Sequence, residues 1–167
     1  HCLDVAILGR GHFQVCDPAS GQTHYTRYGR FSIDPDGLLA ICRGPEEFIV
    51  EPQIDVASAS RDINITADGI VTVPHSRIEK RPPRGQFQLV SFKNPAGLRE
   101  VSPGIFVETN TSGTVTSGTP GSDGFGFVAQ GWIEHSSDQP RSSTVFRIVF
   151  AGTIVALIWA MIVSRRQ

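Results

Sequence analysis

The chain has 167 residues, enough for one domain with a real core and too few for two. Its 17 glycines and 11 prolines are turn formers at a density that suits many short strands better than long helices. The formal net charge of −1 conceals an asymmetry: four of the 15 basic residues (Arg141, Arg147, Arg165 and Arg166) follow residue 140, where no acid stands, and the acidic body this leaves repels phosphate backbones, which argues against nucleic acid as a partner.

Turn signals punctuate residues 3–140: Gly9-Arg10-Gly11, Asp17-Pro18-Ala19-Ser20-Gly21, Asp34-Pro35-Asp36-Gly37, Asp68-Gly69 and Asn94-Pro95-Ala96-Gly97. Between them lie short apolar runs with β-branched or aromatic residues. They predict strands over 5–8, 13–16, 31–33, 38–41, 63–66, 70–73, 87–92, 105–108 and 127–133. Asp36-Gly37 and Asp68-Gly69 each separate two runs and predict tight hairpins, since both residues of the dipeptide tolerate positive φ. Ile63 and Ile65 alternate with polar neighbours, as do Phe87 and Leu89, which is the period of a half-buried strand. No window before residue 140 holds a helical stripe. Residues 1–140 are therefore expected to form an all-β domain, irregular and multi-stranded, built on hairpins.

Residues 110–124 are a low-complexity stretch of small polar side chains. Alone it buries too little apolar surface to offset its ordering entropy. It is expected to be a flexible surface loop, or a segment ordered only by neighbouring subunits. Residues 145–163 carry Arg147 as their only charge. As a helix this stretch rises about 28 Å, close to the hydrocarbon thickness of a bilayer. Arg147 lies near one end, where it snorkels to headgroups, and Trp159 near the other, where an indole suits the interface. With no polar face, residues 145–163 are expected to form a single membrane-spanning helix within a separate C-terminal segment, 141–167, that ends in a short basic tail. Arginines on both sides leave its orientation open.

Cys2, His12, Cys16, His24 and Cys42 could gather around zinc, but no pair shows zinc-finger spacing and Cys16 sits inside an apolar strand pattern. Small buried thiols are the expectation, and no metal. Three cysteines allow at most one bridge, in an oxidising compartment, with the pair unspecified. Asp34 and Asp36 form a carboxylate pair whose expected role is local, bonding backbone amides in a turn. Arg77, Lys80, Arg81 and Arg84 surround Pro82-Pro83 in a basic loop, expected to be solvated, with an acidic neighbour as the alternative contact. Nucleophile elbow, phosphate-binding glycine loop and His-Glu-x-x-His helix are all missing from the sequence. The reading is of a protein that is not an enzyme and has no cofactor and no small-molecule substrate.

An ordered series of motifs runs through the body. Gly9, then Gly11-His12-Phe13-Gln14-Val15, leads to Tyr25-Thr26-Arg27-Tyr28-Gly29-Arg30-Phe31, Asp34 and Asp36-Gly37-Leu38. Ile65, Asp68-Gly69, Val71 and Gly85-Gln86 precede Phe92-Lys93-Asn94-Pro95-Ala96-Gly97-Leu98. Phe106-Val107-Glu108-Thr109, Ser112-Gly113 and Gln130-Gly131-Trp132-Ile133-Glu134 close the series. Over residues 3–137 the chain resembles the bacterial flagellar rod and hook proteins, and its late motifs look most like the family's distal rod members. The family usually has an aromatic where His12 stands. The resemblance implies a structural subunit of the flagellar basal body, on the periplasmic side, that serves motility. Its partners would be other rod and hook subunits or copies of itself. The motif residues would be structural: Tyr25, Phe31 and Phe13 packing one sheet face, Gly29 and Gly37 supplying backbone geometry, and Arg27 pairing with a turn carboxylate such as Asp34.

The resemblance also implies a helix before this core and another after it. The sequence begins, at His1, past the first, so that helix is expected to be missing. Where the second should start, Glu134-His135-Ser136-Ser137 has Ser in place of the family's usual Asn, and no heptad stripe follows. These departures support a second reading, a membrane-tethered β domain acting outside the cytoplasm as a scaffold or adhesion module.

Overall fold

In a computed structural model of the protein, residues 3–43, 46–56, 63–73 and 82–131 are described, all within one compact unit spanning residues 1–136. They form β1 (Leu3–Leu8), β2 (His12–Cys16), β3 (Thr23–Thr26), β4 (Arg30–Ile33), β5 (Leu39–Arg43), β6 (Glu46–Glu51) and β7 (Asn64–Ile65). Then come β8 (Ile70–Thr72), β9 (Gly85–Gln86), β10 (Leu89–Phe92), β11 (Arg99–Ser102), β12 (Ile105–Val107), β13 (Val115–Gly118) and β14 (Phe127–Gln130), with a 3-10 turn at Pro95–Gly97. The described residues are thus all-β, as the turn density predicts. No helix among them is long and apolar enough to cross a membrane, and the span expected at 145–163 lies outside them.

The main sheet is antiparallel and runs β11-β12-β3-β2-β6-β5-β4-β1-β14. β2 is its branch point. One edge of β2 bonds β3 along its length, Phe13 opposite Thr26 and Cys16 opposite Thr23. The other edge is shared, with Gln14 to Cys16 pairing β6 and His12 and Phe13 pairing β10. β10 in turn carries β13 on its far side. A small second sheet, β7-β8-β9, is joined to the first through β14. Val128 N–H donates to the Ala67 carbonyl at 3.0 Å. The Gln130 side chain accepts from Ile65 N–H at 2.8 Å and donates to the Ile63 carbonyl at 2.7 Å, so its amide stands in for one more residue of strand.

The core forms where the alternating side chains of these strands meet. Phe13, Phe31 and Phe87 are fully buried and pack ring against ring, with centroids 5.1, 5.4 and 5.2 Å apart. Burial of each such ring contributes about 2–3 kcal/mol. Val5, Leu39, Ile41, Ile54, Leu89 and Ile105 surround them.

Several expectations are corrected. Tyr25 does not share a face with Phe13 and Phe31: it belongs to a second cluster with Val90 and Phe92, its ring 4.7 Å edge-on from Phe92. Tyr25 pairs with Gln14, one residue out of phase with Phe13, and successive strand residues point to opposite faces. The two Asp-Gly hairpins exist, but only Gly37 (φ 87°) and Gly69 (φ 84°) have positive φ. Each loop is a turn closed by Gly N–H onto the carbonyl three residues back, Asp34 or Thr66, followed by the glycine in left-handed geometry. Residues 110–124 are not a featureless loop. They contain β13, and Ser112 within them is fully buried, so the chain orders this segment by itself. Strands β3, β6, β9, β11 and β13 lie outside the predicted runs.

Candidate assembly interface

Most of the motif residues come together in three nodes. The first is the β1–β2 connection. The Arg27 guanidinium donates to the carbonyls of Ile7 (3.1 Å), Gly9 (3.0 Å) and Gly11 (2.7 Å). It does not pair with Asp34, whose carboxylate instead accepts from Leu38 N–H at 2.7 Å inside its own turn. A planar fork of donors suits a turn that offers several carbonyls at once. Thr26, fully buried, ties β3 to the β11–β12 turn by donating to the Gly104 carbonyl at 2.7 Å, and accepts from Tyr28 N–H at 2.9 Å. Gly29 brings its backbone against β1, its carbonyl accepting from Val5 N–H at 2.8 Å. A Cβ on Gly29 would lie 1.7 Å from the Val5 oxygen.

The second node joins residues 94–98 to 109–112. Asn94 donates to the Thr111 carbonyl at 2.9 Å, and the Gly97 carbonyl accepts from the Thr109 hydroxyl at 2.6 Å. Ser112 closes the turn by donating to the Thr109 carbonyl at 2.7 Å. Leu98 packs against the Tyr25 cluster, and Pro95 opens the 3-10 turn. Glu108 is exposed, and its charge, after burial, helps hold the Tyr25 phenol above its ordinary pKa. The third node is the junction of the two sheets: Gln130 as described, Gly131 N–H on the Asp4 carbonyl at 2.6 Å, and Asp68, whose side chain accepts from the Thr66 hydroxyl. Asp36 is exposed.

His12, a zinc candidate by residue type, serves as an aromatic packing residue instead. It lies edge-on to Phe92 and Phe106, at 5.8 and 6.4 Å, on the face of the Tyr25 cluster. Its buried Nδ1 has no hydrogen-bond partner among the described residues. Burial, and then the charge of Arg27, push its pKa down to about 4, so the imidazole is neutral. Among the described residues no three His, Cys, Asp or Glu side chains converge as metal ligands. Cys16 is a half-buried free thiol whose pKa burial raises, whereas Cys42 is exposed, against the expectation of buried thiols; Cys2 lies outside the described residues. Of the basic loop, Arg84 lines a cleft of about 430 Å³ with Asp55, Pro82 and Pro83, and Arg77, Lys80 and Arg81 lie outside the described residues.

What this arrangement offers is surface. Leu8 and Phe127, each 52% exposed, are cross-strand partners on β1 and β14. Gly121 lies against the Phe127 ring, where a Cβ would approach to 2.5 Å. Beside them Arg10, exposed, lines a cleft of about 130 Å³ with Ser91, Thr116, Asp123, Gly124 and Phe125. Sequence reasoning missed Phe87 as the third ring of the core and Gly121 as a packing site. The spacing Gly121, Gly124, Gly126 beside Phe125 and Phe127 was the signal for the latter.

Residues 6–73 match the family model described as the flagellar hook protein FlgE/F/G D1 domain. The chain is 38% identical over 134 residues to the flagellar basal-body rod protein FlgG of Buchnera aphidicola subsp. Acyrthosiphon pisum, covering 80% of this chain and 50% of the relative. It is 36% identical over 135 residues to the protein of the same name from Caulobacter vibrioides, covering 81% and 50%. It is 31% identical over 137 residues to that of Bacillus subtilis, covering 81% and 51%. The chain therefore spans about half the length of these relatives.

Proposed function

We propose that this chain, which is similar to the flagellar basal-body rod proteins and matches the flagellar hook protein D1 domain over residues 6–73, is a structural, non-catalytic subunit of the flagellar basal body. In this reading its β domain contacts other rod and hook subunits or copies of itself on the periplasmic side. The observation that carries it is the use made of the motif residues. Arg27, Thr26, Gly29, Asn94, Gly97, Thr109 and Gln130 are spent on backbone carbonyls, amides and close approaches that fix the shape of the sheet. A part whose signature residues hold shape is one whose shape is its product. Mass spectrometry of basal bodies purified from the host tests this: peptides from residues 3–131 should co-purify with rod and hook components. Their absence from basal bodies, with the protein present in the cell, overturns the proposal.

The stretch 145–163 supports a second reading, a membrane-tethered scaffold outside the cytoplasm. A tethered chain resists alkaline carbonate extraction and is released by truncation after Pro140. Release of the full chain by carbonate contradicts the tether.

A further inference from the structure

Among the described residues the main sheet has three outer edges, and two are guarded. β11 carries Arg99 and Glu100 and is kinked by a bulge between Glu100 and Ser102. Charges and bulges of this kind stop another strand from adding. β14 is covered by Ala67 and by the Gln130 amide. β13 has neither device: the chain is uncharged from Thr109 to Ser122, and Val115, Thr116 and Ser117 are exposed.

The hydrogen-bond pattern fixes what this edge presents. Lys93 N–H donates to the Thr114 carbonyl at 3.2 Å, and the ladder continues through Ser91 opposite Thr116 and Leu89 opposite Gly118. In an antiparallel ladder, bonded and non-bonded pairs alternate. Thr114, Thr116 and Gly118 therefore turn their backbone groups inward to β10. Val115 and Ser117 turn N–H and C=O outward, with no partner for them among the described residues.

We propose that this edge pairs with itself in a second copy of the chain, antiparallel, with Thr116 opposite Thr116. The argument for that occupant is symmetry. About Thr116, Val115 of one copy faces Ser117 of the other, and each of the two pairs exchanges both of its backbone bonds, so every outward group is used. An edge bearing Arg99 would oppose like charges in such a pairing, whereas the uncharged β13 opposes none, and threonine facing threonine is a favourable cross-strand pair. The contact is two-fold and closes at two copies, so it is distinct from the open head-to-tail contacts of a filament. It does not depend on the basal-body reading.

At the axis the two Thr116 residues form a non-hydrogen-bonded pair, with Cα atoms about 4.5 Å apart, within disulfide reach. The test uses the full chain in detergent with Cys2, Cys16 and Cys42 changed to Ser. Under mild oxidation Thr116→Cys should form a covalent homodimer roughly tenfold faster than Val101→Cys on the guarded edge. Adding Ser117→Pro, which deletes an outward N–H and leaves the inner ladder intact, should bring the rate down to the Val101→Cys level. In the unmodified chain, amide exchange at Val115 and Ser117 should slow as protein concentration rises. Equal rates at Thr116→Cys and Val101→Cys, cross-linking that survives Ser117→Pro in a folded protein, or exchange independent of concentration each overturns the proposal.

Discussion

Gly29 shows how a single residue type is required for reasons of space. Its position is not one of the left-handed ones. What excludes a side chain is the Val5 carbonyl, 1.7 Å from where a Cβ would stand, with the Phe13 ring 3.2 Å away. Gly29→Ala should therefore destabilise the domain by about 3 kcal/mol or more, because the obstruction is backbone and cannot rotate aside. Chemical denaturation reads this directly. His12 makes the opposite case, a residue tolerated at a cost. Its folded-state pKa of about 4 lies below the ordinary 6.5, so between those values the unfolded chain binds a proton that the folded chain refuses. Stability is thus complete above pH 6.5 and falls as pH drops toward 4, by on the order of 3 kcal/mol. His12→Phe removes that dependence and the unpartnered Nδ1 together. Its melting temperature should exceed the parent's, with the larger gain at pH 5 than at pH 7.5; equal melting at both would refute the buried, neutral imidazole.

Among the elements, those visible in the sequence were the ones whose physics is local. β1, β2, β4 and β5 are apolar runs bounded by Gly or Asp-Pro turns, and the structure places them within two residues of expectation. β6 and β11 escaped because their charges, Glu46, Glu47, Glu51, Arg99 and Glu100, mask the strand period. β13 escaped because nothing in Val-Thr-Ser-Gly signals burial: its order comes from β10 and from the Asn94–Thr111 node, both distant in sequence. Arg27 was legible as a motif residue and its partners were not, since carbonyls carry no sequence signature. The same holds for Gln130, whose amide bridges Ile65 N–H and Ile63 C=O. Gln130→Ala strands both groups and should cost about 2 kcal/mol, whereas Ala129→Ser on the same strand should cost less than ~1 kcal/mol. Equal costs would mean that the sheet junction does not rest on that side chain.

At the scale of the molecule, the aromatic core, the Arg27 clamp and the Gln130 junction describe a domain built to keep one shape. Its surface is left to apolar spots such as Leu8 and Phe127 and to strand edges. That is the division of labour a building block needs, and it leaves function to what the surface meets. If this shape is the functional product, the β domain should be exchangeable with that of a relative. The direct measurement is a chimaera in which residues 3–131 replace the matching segment of a curated FlgG relative, in a strain lacking its own copy, scored by swimming motility and by chimaera content of purified basal bodies. The account predicts at least partial motility, with the chimaera incorporated into basal bodies. A chimaera that folds and is produced at normal levels yet never enters a basal body contradicts it.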